Sequence, residues 1–150
     1  MTGSHVAMSD FSIVDPDDVK DAYEGSDVPG EFRRLTDALG AEQLSATLIR
    51  VPAHCDFEQG TGHFHDEVEE LYLVTRGTLT MRFGDTIERV SAPAAVRVAP
   101  STRRSHRNEG DEDVELWAIS RKIDGGDATK IDEFWEASPD ARQRLSGSQR

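Results

Sequence analysis

From residue 43 onward, apolar and polar positions alternate in short runs broken by turn formers about every eight to twelve residues, a texture that predicts an all-β protein. Residues 43–51 put Leu44, Ala46 and Leu48 on one side and Thr47, Ile49 and Val51 on the other, a strand partly covered on both faces. Residues 71–75 and 78–83 join at Arg76-Gly77, and residues 86–90 follow the Gly84-Asp85 turn. Further strands are expected at 95–99, at 103–108 after Pro100-Ser101-Thr102, and at 113–120 after the acidic turn 109–112. Short strands at this spacing build a sandwich or a barrel.

The flanks read differently. Residues 9–42 are polar and interrupted by Asp15-Pro16, Gly25 and Pro29-Gly30. Asp15 is a candidate cap, with Pro16 at the first position, for a short helix over 17–23. A second short helix over 31–39 would stop at Gly40. Past the strands, residues 130–137 space Ile131, Phe134 and Trp135 at i, i+3 and i+4, which predicts a C-terminal helix docked on the barrel. Residues 146–150 are expected to be disordered. The chain thus divides into 1–8, a tag-like remnant marked by Gly3-Ser4-His5, then an arm over 9–42, a barrel over 43–122 and a helical tail over 123–150.

Charge narrows the function classes. With 29 acidic against 17 basic residues and a net charge of −12, the chain is a poor candidate for nucleic acid or an anionic membrane. No apolar run is long enough to span a bilayer, and no basic region followed by an apolar core opens the chain. A lone cysteine, Cys55, cannot close an internal disulfide, so a cytoplasmic protein is expected.

The chemistry concentrates in Gly62-His63-Phe64-His65-Asp66-Glu67-Val68-Glu69-Glu70. Two histidines one residue apart on an extended segment point to the same face. With a carboxylate from the next strand they form a cage for a divalent first-row metal, and two imidazoles with one carboxylate suit Zn, Mn, Ni or Fe. Tyr72 shares parity with Glu70 and is expected to face the same interior, where it would orient a ligand or act as an acid. His54 and Cys55 are adjacent, face opposite sides of a strand and cannot form a nucleophile–base pair with each other.

The order of these features resembles the cupin superfamily of small double-stranded β-helix (jelly-roll) barrels. Its first motif runs glycine, five residues, His-x-His, three or four residues, Glu, six residues, Gly. His63, His65, Glu70 and Gly77 fall at those spacings, whereas Glu69 misses Gly77 by one; the leading glycine is displaced, with Phe57 in its place and Gly60 and Gly62 nearby. The second motif is eroded. Pro93 replaces its first glycine, Ala99 its proline, Ser101 its second glycine and Arg104 its histidine, while Asn108 remains. His106 stands two positions after Arg104, on the same face and about 6–7 Å along the strand.

The resemblance implies metal ligands His63, His65 and Glu70, with His106 either a substitute fourth ligand brought in by a bulge or a residue lining the pocket. Arg104 would recognise a substrate carboxylate or phosphate, or else pair internally with Glu69 or Glu70. The implied function is a metal-dependent oxygenase, isomerase or lyase acting on a small acidic molecule. The alternative is a non-catalytic binding cupin with a metal-free pocket centred on Arg104. Cupin barrels commonly pair, so a homodimer is expected.

Overall fold

The computed structural model describes residues 10–136 as two five-stranded antiparallel sheets packed face to face. The strands are β1 (Glu31–Arg34), β2 (Leu44–Val51), β3 (Gly62–His65), β4 (Glu70–Arg76), β5 (Thr78–Phe83), β6 (Thr86–Ser91), β7 (Ala94–Val98), β8 (Arg104–Arg107), β9 (Val114–Arg121) and β10 (Ala128–Ile131). One sheet runs β1-β2-β9-β4-β7, the other β10-β3-β8-β5-β6. The chain is all-β as the alternation indicated, and the two sheets form a double-stranded β-helix barrel. Among the described residues no helix is long and apolar enough to cross a membrane.

The inward rows explain why the barrel is solid at one end and hollow at the other. Across β2 and β9 the facing pairs are Val51↔Val114, Ile49↔Leu116, Thr47↔Ala118 and Ser45↔Ser120. The adjoining β4 row reads Val74, Tyr72, Glu70 against Leu116, Ala118, Ser120. Large aliphatic side chains at one end pack with Leu79 and Met81 into the core. At the other end small and polar residues leave the space unfilled, and that space is the cavity.

Three local readings are corrected. Residues 31–39 do not form one helix: Glu31–Arg34 is β1, and only Thr36–Leu39 (α1) is helical, ending at Gly40 in the left-handed conformation (φ 68°). Glu31 and Arg33 pair on one face (2.8 Å) while Phe32 turns toward the cavity, a period of two that four residues are too few to reveal in sequence. The helix expected over 17–23 is a single 3₁₀ turn, Pro16–Asp18, with Asp15 accepting from the Asp17 amide at 2.9 Å as its cap.

The C-terminal helix over 130–137 is also absent from the described residues. Ala128–Ile131 instead pairs with β3, setting Lys130 opposite His63 and Ala128 opposite His65, and a turn covers 132–136. Phe134 and Trp135 are still buried, now against the outer face of the second sheet. The Trp135 indole donates to Ser105 Oγ at 2.8 Å, and the guanidiniums of Arg82 and Arg107 lie 3.9 and 4.0 Å from the Phe134 and Trp135 ring centres. Gly62 admits this packing, because a Cβ there would meet the Phe134 ring at 2.6 Å. The expectations for residues 1–8 and 146–150 lie outside the described residues.

Candidate metal centre and cavity

The hollow end of the barrel encloses a cavity of about 710 Å³ into which His63, His65, Glu70, Tyr72 and His106 all face. Strand alternation sends His63 and His65 inward from β3, and β4 contributes Glu70 from the opposite sheet. Glu70 Oε1 lies 3.9 Å from His63 Nε2 and 3.7 Å from His65 Nε2, and one donor atom from each of the three residues falls within 4.8 Å of the others.

Each imidazole has a carboxylate at its far nitrogen. Asp127, just before β10, lies 2.7 Å from His65 Nδ1 and also accepts the amides of Glu67 (2.8 Å) and Val68 (3.1 Å). Glu58 Oε2 lies 3.7 Å from His63 Nδ1. With a carboxylate on the Nδ1 side, each Nε2 turns toward Glu70, the arrangement that metal-binding histidines favour. Neither Glu58 nor Asp127 belongs to the spacing that marks His63, His65 and Glu70, and Asp127 lies 62 residues from its partner. The sequence carries no sign of either contact.

Arg104 is where the sequence left the choice open, and the structure resolves it. The side chain is buried (1% exposed), donating to Glu70 Oε1 at 2.6 Å, to the Thr102 carbonyl at 2.9 Å and to the Tyr72 hydroxyl at 3.4 Å. It is not among the residues lining the cavity. Glu69, the other candidate partner, pairs with Arg97 on the surface. His106 does line the cavity but lies outside the group of converging donors. Glu58 Oε1 sits 3.2 Å from its Nε2 and accepts its backbone amide at 3.0 Å, which ties His106 away from the position of a fourth ligand.

Burial and neighbouring charges oppose one another throughout the site. Burial alone would raise the Glu70 carboxyl, but hydrogen bonds from His63, Tyr72 and Arg104 outweigh it and hold Glu70 at about 2. Burial would lower His63, yet its contacts with Glu58 and Glu70 lift it to about 9. Asp127 is lowered to about 2 against its own desolvation, by the Glu67 amide, His65 and the Val68 amide. Burial first, then the Glu70 charge, pushes the Tyr72 phenol well above its ordinary value.

These shifts predict a stability window for the metal-free protein. Glu70 and Asp127 are lowered from 4.5 and 3.8, so their contribution is complete above those values and disappears as pH falls toward 2. His63 is raised from 6.5, so its contribution is complete below that value and is lost as pH rises through about 9. Urea midpoints measured in chelator should therefore be highest between about pH 4.5 and 6.5. The alkaline decline should be smaller in His63→Ala; a variant that declines as steeply as the parent would refute this assignment.

No family model matches the chain, and no curated protein matches it. Solved structures do. A cupin protein from Bacteroides fragilis is 17% identical, with a TM-score of 0.62 over 79% of this chain and 89% of that one. The polyketide cyclase RemF from Streptomyces resistomycificus is 17% identical, with a TM-score of 0.65 over 87% and 96%. A predicted oxalate decarboxylase from Thermotoga maritima is 16% identical, with a TM-score of 0.60 over 75% and 100%. At these identities the likeness establishes a shared fold.

Proposed function

Starting from the cupin double-stranded β-helix barrel, which is the fold of this chain, we propose that the protein binds a divalent metal ion through His63, His65 and Glu70 and presents it to a small molecule in the cavity. The observation that carries this reading is the shared orientation of the two imidazoles. Both direct Nε2 at Glu70 Oε1, and both have a carboxylate behind Nδ1. Two nitrogens and one carboxylate oxygen suit Zn, Mn, Ni or Fe, and such a metal would supply Lewis acidity toward a coordinated oxygen of the bound molecule.

The remaining residues have separable parts. Arg104 and Tyr72 orient the Glu70 carboxylate, and Asp127 fixes the His65 ring. Glu58 and His106 pair with each other in the wall beyond the metal ligands. A polyketide cyclase and a predicted oxalate decarboxylase among the structural relatives are consistent with an enzyme of the oxygenase, isomerase or lyase kind.

Metal content per chain tests the proposal: mass spectrometry of protein incubated with each candidate ion and desalted should return about one ion per chain. Background levels for all of them would overturn it. Asp127→Asn should weaken the affinity by about 10- to 100-fold in calorimetric titration, because the amide no longer supplies a charged acceptor to His65 Nδ1. An affinity within twofold of the parent would remove Asp127 from the site.

A further inference from the structure

We infer that the molecule this cavity takes is an uncharged, planar aromatic compound, held against a wall of side-chain rings. The inference deepens the metal-site reading, since it concerns the same cavity, and the wall of rings it rests on contains none of His63, His65 and Glu70.

Tyr23, Phe32, Phe57, Tyr72 and His106 all line the cavity and come from separate parts of the chain. Phe32 and Phe57 stack with centroids 6.0 Å apart and planes 12° from parallel, and Phe57 and His106 continue the stack at 6.2 Å and 12°. Tyr23 stands edge-on to Phe32 and to Phe57, at 5.7 Å in each case, and Tyr72 stands edge-on to His106 at 6.4 Å. A flat ligand ring entering such a wall finds both faces and edges to pair with.

The wall is built before any ligand arrives. Asp21 Oδ1 accepts the amides of Tyr23 (3.0 Å) and Phe32 (2.9 Å), locking the loop that carries one ring to the strand that carries the other. Glu58 does the same for the far end by holding both the ring and the amide of His106. Tyr23 remains 38% exposed at the cavity mouth, where a ring placed only to fill the core would be covered. Val28, Ile49 and Ala118 add apolar surface to the lining.

Charge argues against the acidic ligand expected from sequence. That expectation rested on Arg104, which is sealed behind Glu70. Lys130 pairs with Asp132 at 3.3 Å and is 70% exposed, and His63 lies between Glu58 and Glu70. Among the described residues, each cation lining the metal-free cavity already faces a carboxylate, so none is left over to pair with an anion.

Three probes separate ring, charge and shape in the metal-free protein: 2-naphthol, 2-naphthoate and decahydro-2-naphthol, titrated by calorimetry. Naphthol should bind at least about tenfold more tightly than either of the others, as expected for several aromatic contacts and an unfavourable anion. Tyr23→Leu and Phe32→Leu should each weaken naphthol about three- to tenfold and leave decahydronaphthol unchanged. Tyr23 is exposed enough that its variant keeps the fold, which circular dichroism checks. Equal or tighter binding of naphthoate, equal binding of decahydronaphthol, or no binding of naphthol would each overturn the inference. Naphthol binding without metal uptake would instead leave this inference standing and remove the metal site.

Discussion

In the His63→Ala/His65→Ala variant, bound metal is expected to fall from about one ion per chain to background. The effect should be this large because the remaining donor is already engaged. Glu70 Oε1 has Arg104 at 2.6 Å, and a single carboxylate neutralised by a guanidinium has little to offer a divalent cation. Loss of two of three ligands removes the chelate, and affinity should drop at least about a thousandfold, given the 10- to 100-fold cost of disturbing even an outer partner. The barrel should survive the change, since β3 remains paired to β10 and β8 and both imidazoles are partly exposed. Mass spectrometry of the desalted variant, with circular dichroism as the control for folding, checks it. Undiminished metal in a folded variant would place the ion somewhere else.

The second large effect concerns stability. Arg104→Met should cost about 3–5 kcal/mol, because it strands the Glu70 carboxylate in a buried position with its principal countercharge gone. For a chain of this size that corresponds to a fall in Tm of roughly 6–20 °C. The Tyr72 hydroxyl also loses a donor, Arg104 Nε, at 3.4 Å. Adding Glu70→Gln in the same chain should recover most of the loss, since the double variant no longer buries an unpaired charge. Urea denaturation in chelator measures both steps. A single variant less than about 1 kcal/mol below the parent, or a double variant no better than the single, would show that Arg104 and Glu70 do not form the coupled pair described here.

The sequence made the candidate metal ligands and most of the barrel strands legible because both depend on spacing. Period-two alternation fixes that His63 and His65 share a face and that Glu70 and Tyr72 share another, whatever the rest of the chain does. Asp127 and Glu58 were not legible, since their contacts depend on which strand edges meet. The C-terminal error shows the limit of periodicity. Ile131, Phe134 and Trp135 are spaced as on a helix, yet one edge strand and a turn bury the same residues, and the pairing with β3 decided the outcome. For Arg104 the two readings differ only in whether a guanidinium points into open space or at Glu70, a matter of a few ångströms that no linear pattern encodes.

The β3–β10 pairing has a consequence for the order in which the protein is made. His63 and His65 leave the ribosome before their partners: the strand opposite them, Ala128–Ile131, and the carboxylate of Asp127 emerge more than sixty residues later. Tyr23 and Phe32, by contrast, precede both histidines in the chain. The cavity is therefore assembled from widely separated parts of the nascent chain, and a truncated product that ends between His65 and Asp127 carries both histidines but lacks the group that aims one of them.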